Sequence, residues 1–255
     1  MIKTGFRKGL VIMKLLFSLA MLSLLVTTMS QSKSDPLSKA DQLIVVTTSN
    51  WDDVEGKFQR YERRDNRWQP VGEKIRIVVG RTGMAWGKGL HGEPPGEGPI
   101  KREGDGKSPA GVFSLSRAFG YAPKSTNKGI RLPYVVATGS LECVDDVKSA
   151  YYNRVLDRRR IKSPDWNSSE QMRRQDDQYS LGVIVDHNAM GEPSCGSCIF
   201  LHIWSGENKG TAGCTAMQAD NIKQVVNWLD PSKRPLLVQL PQEQYLNLKS
   251  NWNLP

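Results

Sequence analysis

The 255-residue sequence is poor in the side chains that most often carry out chemistry, with four cysteines and three histidines. It also lacks internal repeats and low-complexity tracts, which excludes a repeat architecture. The apolar run at residues 15–26 is only 12 residues long, whereas a helix needs roughly 20 residues to span a bilayer. With 38 % hydrophobic and 24 % charged residues, the composition is that of a globular protein with one sizeable core.

The first 30 residues have the layout of a signal peptide. Four basic residues precede the apolar run: Lys3, Arg7, Lys8 and Lys14. Small residues follow the run through Ser30, where a signal peptidase would cut. We therefore expect residues 1–30 to be removed on export, which leaves a protein of the periplasm or cell-wall space with no stable membrane span. Met13 is an alternative start of the chain.

The net charge restricts the partners of the exported chain. Removing residues 1–30 takes away four positive charges and no negative one, which lowers the formal net charge from +9 to +5. Such a mildly basic surface suits an anionic polymer, although solubility alone accounts for it equally well. A nucleic-acid partner is disfavoured, because the chain has a signal peptide and no signature of a nucleic-acid-binding fold.

Four cysteines lie in the remaining chain: Cys143, Cys195, Cys198 and Cys214. Export to an oxidising compartment favours disulfide bonds among some of them. If Cys214 stays a free thiol, the other three are expected to give one disulfide and one spare thiol. The sequence leaves the connectivity open.

Short β-rich runs dominate the sequence from residue 43 onward. Eight runs are predicted to be strands: residues 43–48, 57–63, 75–79, 111–115, 133–138, 181–186, 197–204 and 236–240. Asp65 and Asn66 are predicted to form a turn. Helical spacing of apolar residues occurs at Ile222, Val225 and Leu229, ahead of a proline that would end the helix.

These elements predict one mainly β domain with a few helices at residues 43–240. Residues 31–42 are expected to be a linker, and residues 241–255 a C-terminal tail. Residues 91–107, rich in glycine, proline and charge, are predicted to form a surface loop. Residues 142–179 are polar, rich in arginine and poor in β-forming residues, so we expect an insertion of helices and loop between strands.

The most informative segment is residues 197–217, SCIFLHIWSGENKGTAGCTAM. Alternation along the predicted strand places Ile199, Leu201 and Ile203 on one face, toward the core. His202 then lies on the opposite face, with Cys198, Phe200 and Trp204, and is expected to point into a cleft. A turn containing glycine leads from this strand to Cys214.

Cys214 is expected to lie just before the predicted helix. The positive end of a helix dipole and free backbone N–H groups would there favour its thiolate, the nucleophilic form. The same N–H groups could hold the oxyanion that forms when a carbonyl is attacked. Taken alone, this arrangement also fits a cysteine that is merely packed in a core.

The combination resembles the catalytic domain of the L,D-transpeptidases, the YkuD-like family, whose motif is a strand histidine and then Ser/Thr-His-Gly-Cys. The matching residues are His202, Thr211, Gly213 and Cys214. The strings GDGKSPAGVFSL, VVGRTGMAWGKGLHGEP, ECVDD and GSCIFLHIW are similar to the branch of this family with a TAGC motif. Ala212 stands where many members have a second histidine, which leaves substrate contacts near the oxyanion open.

The resemblance covers roughly residues 43–240 and implies a β-sandwich or barrel-like domain that needs no cofactor. Its implied activity is acyl transfer through a cysteinyl intermediate on peptidoglycan stem tetrapeptides, with release of D-alanine. A cross-link or a hydrolysed stem would follow. Cys214 would be the nucleophile and His202 its base, while Thr211, Ala212 and Gly213 would contact the oxyanion or substrate.

Two further residues could contact the catalytic side chains without contacting the substrate: His187, at the end of the preceding strand, and Trp204. For His187 a purely structural role is the alternative. The arginine-rich residues 142–179 could be a lid that grips substrate carboxylates, or a solvated basic surface. Five arginines motivate the lid: Arg158, Arg159, Arg160, Arg173 and Arg174.

Two other functions stay open at this point. Cys195, Cys198, His202 and Cys214 together offer three thiols and one imidazole, which is a zinc ligand set. Alternatively, the basic charge and the aromatic residues would suit a non-catalytic wall-binding protein that does not need Cys214. The sequence does not give the oligomeric state.

Overall fold

A computed structural model describes residues 35–255 of the chain. The predicted signal peptide, residues 1–30, and the first part of the predicted linker lie outside the described residues. Between residues 35 and 255, no helix is both long and apolar enough to cross a membrane.

The strands, numbered β1 to β13 in chain order, are Gln42–Thr48, Glu55–Arg64, Arg67–Val78, Met84–Trp86, Ser108–Gly120, Tyr134–Val136, Leu141–Val144, Val155–Asp157, Ser169–Gln171, Leu181–Val185, Phe200–Ile203, Thr215–Met217 and Leu236–Pro241. The α-helices are α1, Ala219–Trp228, and α2, Gln242–Leu248. Short 3₁₀ helices lie at Lys124–Thr126, Arg158–Arg160 and Pro231–Lys233.

Eight of these strands close into a barrel. The order is β10-β11-β12-β3-β2-β1-β13-β5, and β5 pairs again with β10. β4 and β6 pair with β5 outside this ring. The predicted mainly β fold is therefore confirmed, and its form is a barrel.

The barrel contains one parallel pair formed by segments far apart in the sequence. β1 pairs with β13 from Leu43 opposite Leu236 to Thr48 opposite Pro241. β1 has the sequence QLIVVTT and is almost entirely buried, as expected for a β-branched strand that is covered on both faces. The central ladder thus depends on residues near both ends of the described chain.

The folded unit is wider than the predicted range 43–240. Leu37, in the predicted linker, is buried in the core. In the predicted tail, α2 packs against β13, and Leu248, Trp252 and Leu254 are buried in the same core. Residues 241–255 are therefore part of the domain, and the expectation of a tail was wrong, because α2 is too short to show a clear apolar period.

Local backbone geometry explains where the strands match the prediction and where they do not. Asp65 and Asn66 have φ values of 49° and 58°, so they form the predicted two-residue hairpin turn between β2 and β3. The strand predicted at residues 197–204 shortens to β11, because Cys198 has a left-handed φ of 56°. The predicted helix is α1, and the residues whose spacing indicated it, Ile222, Val225 and Leu229, are buried.

We expected the insertion at residues 142–179 to consist of helices and loop, but the structure shows strands there. β7, β8 and β9 form a separate three-stranded sheet in the order β8-β7-β9. The buried carboxylate of Glu142 on β7 accepts hydrogen bonds from Trp166 Nε1 (2.8 Å) and Ser169 Oγ (2.9 Å). Strands of three or four residues that are held by such polar contacts carry no clear hydrophobic alternation, which explains the wrong prediction.

Candidate active site

Cys214 and His202 are brought together by two neighbouring parallel strands. β11 pairs with β12 so that Leu201 lies opposite Thr215 and His202 opposite Ala216. Cys214 immediately precedes β12, and His202 lies within β11. Both side chains line a cleft of about 550 Å³.

The alternation predicted for the histidine strand is confirmed. Ile199 and Leu201 belong to the main core of the barrel. On the other face, Cys198 and Phe200 join Cys214 in a second apolar cluster, which includes residues of the insertion. His202 therefore points away from the barrel core, toward the cleft that the insertion borders.

His202 is held as a neutral imidazole with one defined tautomer. Its Nδ1 lies 2.8 Å from the carbonyl oxygen of Ile203, and a carbonyl only accepts, so Nδ1 carries the proton and Nε2 has the free lone pair. The side chain is 4 % exposed, and burial lowers the pKa of His202 to about 4. At neutral pH, Nε2 is thus an uncharged acceptor.

Cys214 is buried as well, and its thiol is not activated at rest. The residue is 6 % exposed, and Sγ accepts a hydrogen bond from the Phe200 N–H (3.3 Å) and donates to the Cys198 carbonyl (3.5 Å). Burial raises the pKa of the Cys214 thiol, and the nearby carboxyl of Glu170 adds to this shift. The resting site therefore pairs a neutral thiol with a neutral imidazole.

The expected effect of a helix dipole on Cys214 was wrong. α1 begins at Ala219 with Gln218 as its N-cap, so β12 separates the cysteine from the helix. The prediction failed because the three residues TAM carry no strand signal of their own. They become a strand only by pairing with β11 and β3.

The loop before Cys214 lines the cleft with Thr211, Ala212 and Gly213. Thr211 Oγ1 donates to the Cys214 carbonyl (2.6 Å) and accepts from the Gly213 N–H (3.1 Å). The Gly213 N–H, predicted to hold an oxyanion, is thus engaged by Thr211. The Cys214 N–H has no acceptor among the described residues, so it is the donor that remains available.

His187 and Trp204 do not reach the cleft. His187 Nε2 lies 3.0 Å from the Cys195 carbonyl, and the side chain lines a different cavity of about 440 Å³. Burial lowers the pKa of His187 to about 4. Trp204 lines a surface groove with Lys74 and Arg76, so the structure gives neither residue a contact with the cysteine and histidine pair.

One disulfide joins the insertion to the segment that enters β11. Cys143 of β7 is bonded to Cys198, with the Cα atoms 5.9 Å apart, and Cys195 remains free. The expected count of one bridge and one spare thiol is thus confirmed. The zinc alternative loses Cys198 as a thiolate, and in the part of the chain that the structure describes, no cluster of His, Cys, Asp or Glu is arranged to hold a metal ion.

The insertion forms one wall of the cleft. Five of its residues line the cleft: Asp145, Glu170, Arg174, Gln178 and Tyr179. Arg174 holds Asp176 through two parallel hydrogen bonds of 2.9 and 2.8 Å. Of the five arginines that motivated a lid, only Arg174 lines the cleft. Tyr179 is buried beside His202 and donates its hydroxyl to Glu170.

Sequence reasoning missed Lys101 and Tyr179. Lys101 lies in the loop predicted to be on the surface, yet its side chain is 4 % exposed and lines the cleft. Tyr179 is the last residue of the predicted insertion. Neither has a local pattern that would have identified it, since both reach the site through tertiary contacts.

Comparisons with known proteins add little to this geometry. No model of a protein family matches the chain, and neither does any curated protein. Among solved structures, the chain is similar to the helical cell shape determining protein Pgp2 from Campylobacter jejuni, at 18 % sequence identity and a TM-score of 0.35. The similarity covers 78 % of this chain and 48 % of that one, so the chain spans about half the length of Pgp2. At this TM-score the similarity supports no inference about fold or function.

Proposed function

We propose that this chain is an exported L,D-transpeptidase, a cysteine acyltransferase that acts on the stem tetrapeptides of peptidoglycan. One observation carries the proposal. Cys214 and a neutral His202 line the same cleft, and Nε2 of His202 is free to accept a proton. The resemblance of His202 and the TAGC segment to the family motif gives the substrate class.

In the first half-reaction, Nε2 of His202 takes the thiol proton while Sγ of Cys214 attacks the carbonyl carbon that follows the L-centre of the third stem residue. The C–S bond forms as the carbonyl π pair moves to oxygen, and the unbonded N–H of Cys214 is available to that oxyanion. The C–N bond then breaks, His202 returns its proton to the departing nitrogen, and D-alanine leaves.

In the second half-reaction, the thioester on Cys214 reacts with an amine of a second stem. Neutral His202 takes a proton from this amine, the new amide bond forms, and the C–S bond breaks as Cys214 recovers a proton. Water in place of the amine gives a hydrolysed stem. Because cysteine and histidine are both neutral at rest, general-base catalysis rather than a preformed thiolate drives acylation.

Mass spectrometry tests the nucleophile. A carbapenem, from a β-lactam class to which this family is sensitive, is expected to add its mass to the wild type and not to Cys214→Ala. For His202→Gln we expect a folded protein that is acylated roughly 10²-fold more slowly, the usual loss when a general base is removed. Labelling of Cys214→Ala would contradict the assignment.

Incubation with purified stem tetrapeptide tests the reaction. Free D-alanine is expected, together with stem dimers or hydrolysed stems, whose ratio gives the preferred acceptor. Retention of the protein on peptidoglycan without any product would instead identify a wall-binding protein and overturn the proposed activity.

A further inference from the structure

Lys101 is a buried cation in the wall of the cleft, and the family motif does not account for it. Its backbone N–H donates to the carbonyl of Trp86 (2.8 Å), which fixes it beside β4. Its side chain lines the same cleft as Cys214. Because a lysine is almost never fully buried unless it is paired, the contacts of this ammonium group indicate what it does.

The side chain of Lys101 packs against Gly196 on its way into the cleft. A Cβ atom at Gly196 would lie 3.0 and 3.1 Å from Cε and Cγ of Lys101, and Gly196 has a left-handed φ of 94°. Glycine therefore leaves the space that the lysine occupies. Nζ lies 4.0 Å from the position that a Cβ of Gly213 would take, next to the nucleophile.

Two of the three N–H groups of the Lys101 ammonium donate hydrogen bonds within the protein. Nζ donates to the carbonyl of Arg102 (2.7 Å) and to Oδ1 of Asp105 (2.5 Å). Asp105 is itself fixed by the backbone N–H groups of Arg102 (2.7 Å) and Lys107 (2.9 Å). Since an ammonium carries three donors, one N–H of Lys101 is left without an acceptor among the described residues.

Other charged or titratable groups surround the thiol of Cys214. Glu170 opposes its ionisation, whereas the hydroxyl of Tyr179 and the charge of Lys101 lower the pKa of Cys214 against the effect of burial. His187 faces Lys101 across Gly196, and its lowered pKa leaves it neutral above pH 4.

The other cations that line the cleft are less suited to act on the thiol. Arg81 and Lys209 are exposed to solvent, and Arg174 is engaged by Asp176. Lys101 is thus the buried cation among the described residues of the cleft wall. Lys101 therefore provides the positive charge near the thiol that a helix dipole would have provided if α1 began directly after Cys214.

We propose that Lys101 is a catalytic residue that stabilises the negative charge developing on Cys214 and on the attacked carbonyl oxygen during acylation. The proposal rests on the proposed function. Lys101 transfers no proton, because the thiol proton goes to His202. The third N–H of Lys101 instead donates a hydrogen bond to the attacked carbonyl oxygen. The side chain of Lys101 is itself buried, and the field of a fixed, buried cation is screened less than that of a cation in water.

Alkylation of Cys214 by iodoacetamide tests this role. The reagent is neutral, so changes of charge in the protein do not alter its approach. A Cys195→Ser background leaves Cys214 as the free thiol, since Cys143 and Cys198 are bonded. Rates would be measured from pH 7 to 10, where alkylation follows the thiolate fraction.

Lys101→Met is expected to lower the alkylation rate about tenfold at each pH below the pKa of the thiol, which corresponds to a rise of about one pKa unit, the lower end for loss of a nearby opposite charge. Lys101→Arg keeps the charge and should restore the rate to within about threefold of the wild type. Lys209→Met removes an exposed cation from the same cleft and should change the rate less than about twofold, because water screens it.

An unchanged alkylation rate in a folded Lys101→Met protein overturns the proposal. If this variant does not fold because Asp105 is left unpaired, the double variant Lys101→Met with Asp105→Asn is judged by the same criterion. Turnover of stem peptide by the wild type is measured separately. Absence of turnover would overturn the proposed function, while a slowed alkylation would still support the effect of Lys101 on the thiol.

Discussion

The ring of Tyr179 stands edge-on to the imidazole of His202, with the ring centroids 5.0 Å apart and the planes at 73°. The Tyr179 hydroxyl is directed to Glu170. The aromatic ring and the hydroxyl therefore have separable roles, since the ring packs on the proposed base and the hydroxyl donates a hydrogen bond to a partly buried carboxyl group.

We expect Tyr179→Ala to lower the rate of carbapenem acylation at least tenfold, because the imidazole of His202 loses its packing partner. It should also destabilise the protein by about 3 kcal/mol, as for other large-to-small changes in a core. Tyr179→Phe retains the ring and should keep acylation within about fivefold of the wild type. A folded Tyr179→Ala protein with the wild-type acylation rate would show that His202 is held without this ring.

The buried histidines predict how stability depends on pH. In the folded state the pKa values of His187 and His202 are about 4, whereas an unfolded histidine titrates near 6.5. As the pH falls below 6.5, the unfolded state binds protons that the folded state does not, so stability is lost down to about pH 4 and the loss then levels off. Each histidine contributes at most about 3 kcal/mol to this loss.

Urea unfolding between pH 4 and 7.5 measures this dependence. His187→Gln should fold less stably at neutral pH, yet lose less stability than the wild type as the pH falls. Imidazole NMR signals of the wild type should report a neutral His202 with the proton on Nδ1 down to about pH 5. An imidazole that titrates near 6.5 would contradict the buried environment.

The disulfide between Cys143 and Cys198 is expected to stabilise the fold by restricting the unfolded chain. For a sequence separation of 55 residues, the loop-entropy relation gives about 4 kcal/mol. The double variant Cys143→Ser with Cys198→Ser should lose about this much stability in urea unfolding, and dithiothreitol should have the same effect on the wild type. Cys195→Ser is the control and should unfold like the wild type with or without dithiothreitol.

Arg174 is the arginine of the insertion that is placed to meet a substrate carboxylate. Asp176 fixes its guanidinium group in the cleft wall, so a carboxylate of the stem peptide can pair with the remaining N–H groups. Arg174→Gln should raise KM for the stem peptide roughly tenfold or more, the loss of one charge-assisted hydrogen bond, and leave carbapenem acylation nearly unchanged.

Arg159 and Arg160 provide a matched control, because both are exposed and lie outside the cleft. Changing both to Gln should leave KM at the wild-type value. Arg158 is left intact, since it pairs with the buried Glu142. A rise in KM for the control that equals the rise for Arg174→Gln would assign the effect to overall charge and not to a contact in the cleft.

Local patterns predicted the parts of the site that are local. Alternation along one strand placed His202 on the face opposite to Leu201, away from the core, and the turn that leads to Cys214, twelve positions further, placed the cysteine near it. The ionisation state of Cys214 was not predictable in the same way. It depends on burial and on Glu170, which reaches the cleft only because β9 pairs with β7.

The remaining cleft residues come from segments distant in sequence. Lys101 enters from a loop rich in glycine and charge, where a lysine is normally solvated. Tyr179 enters from the insertion, whose position is fixed by the Cys143–Cys198 disulfide and by the pairing of β10 with β5 and β11. Sequence periodicity therefore identifies His202 and Cys214, whereas Lys101 and Tyr179 join the site only when the whole domain has folded.

The pairing of β1 with β13 has a consequence for the order of folding. The two strands are adjacent in the barrel, yet their first paired residues, Leu43 and Leu236, are almost two hundred positions apart. A ladder of such high contact order forms slowly, because a long loop must close before its hydrogen bonds can form. During synthesis, β1 has to wait until β13 has emerged, with its edge unpaired on that side. Protection of β1 amides from hydrogen exchange should therefore appear late in refolding, together with that of β13.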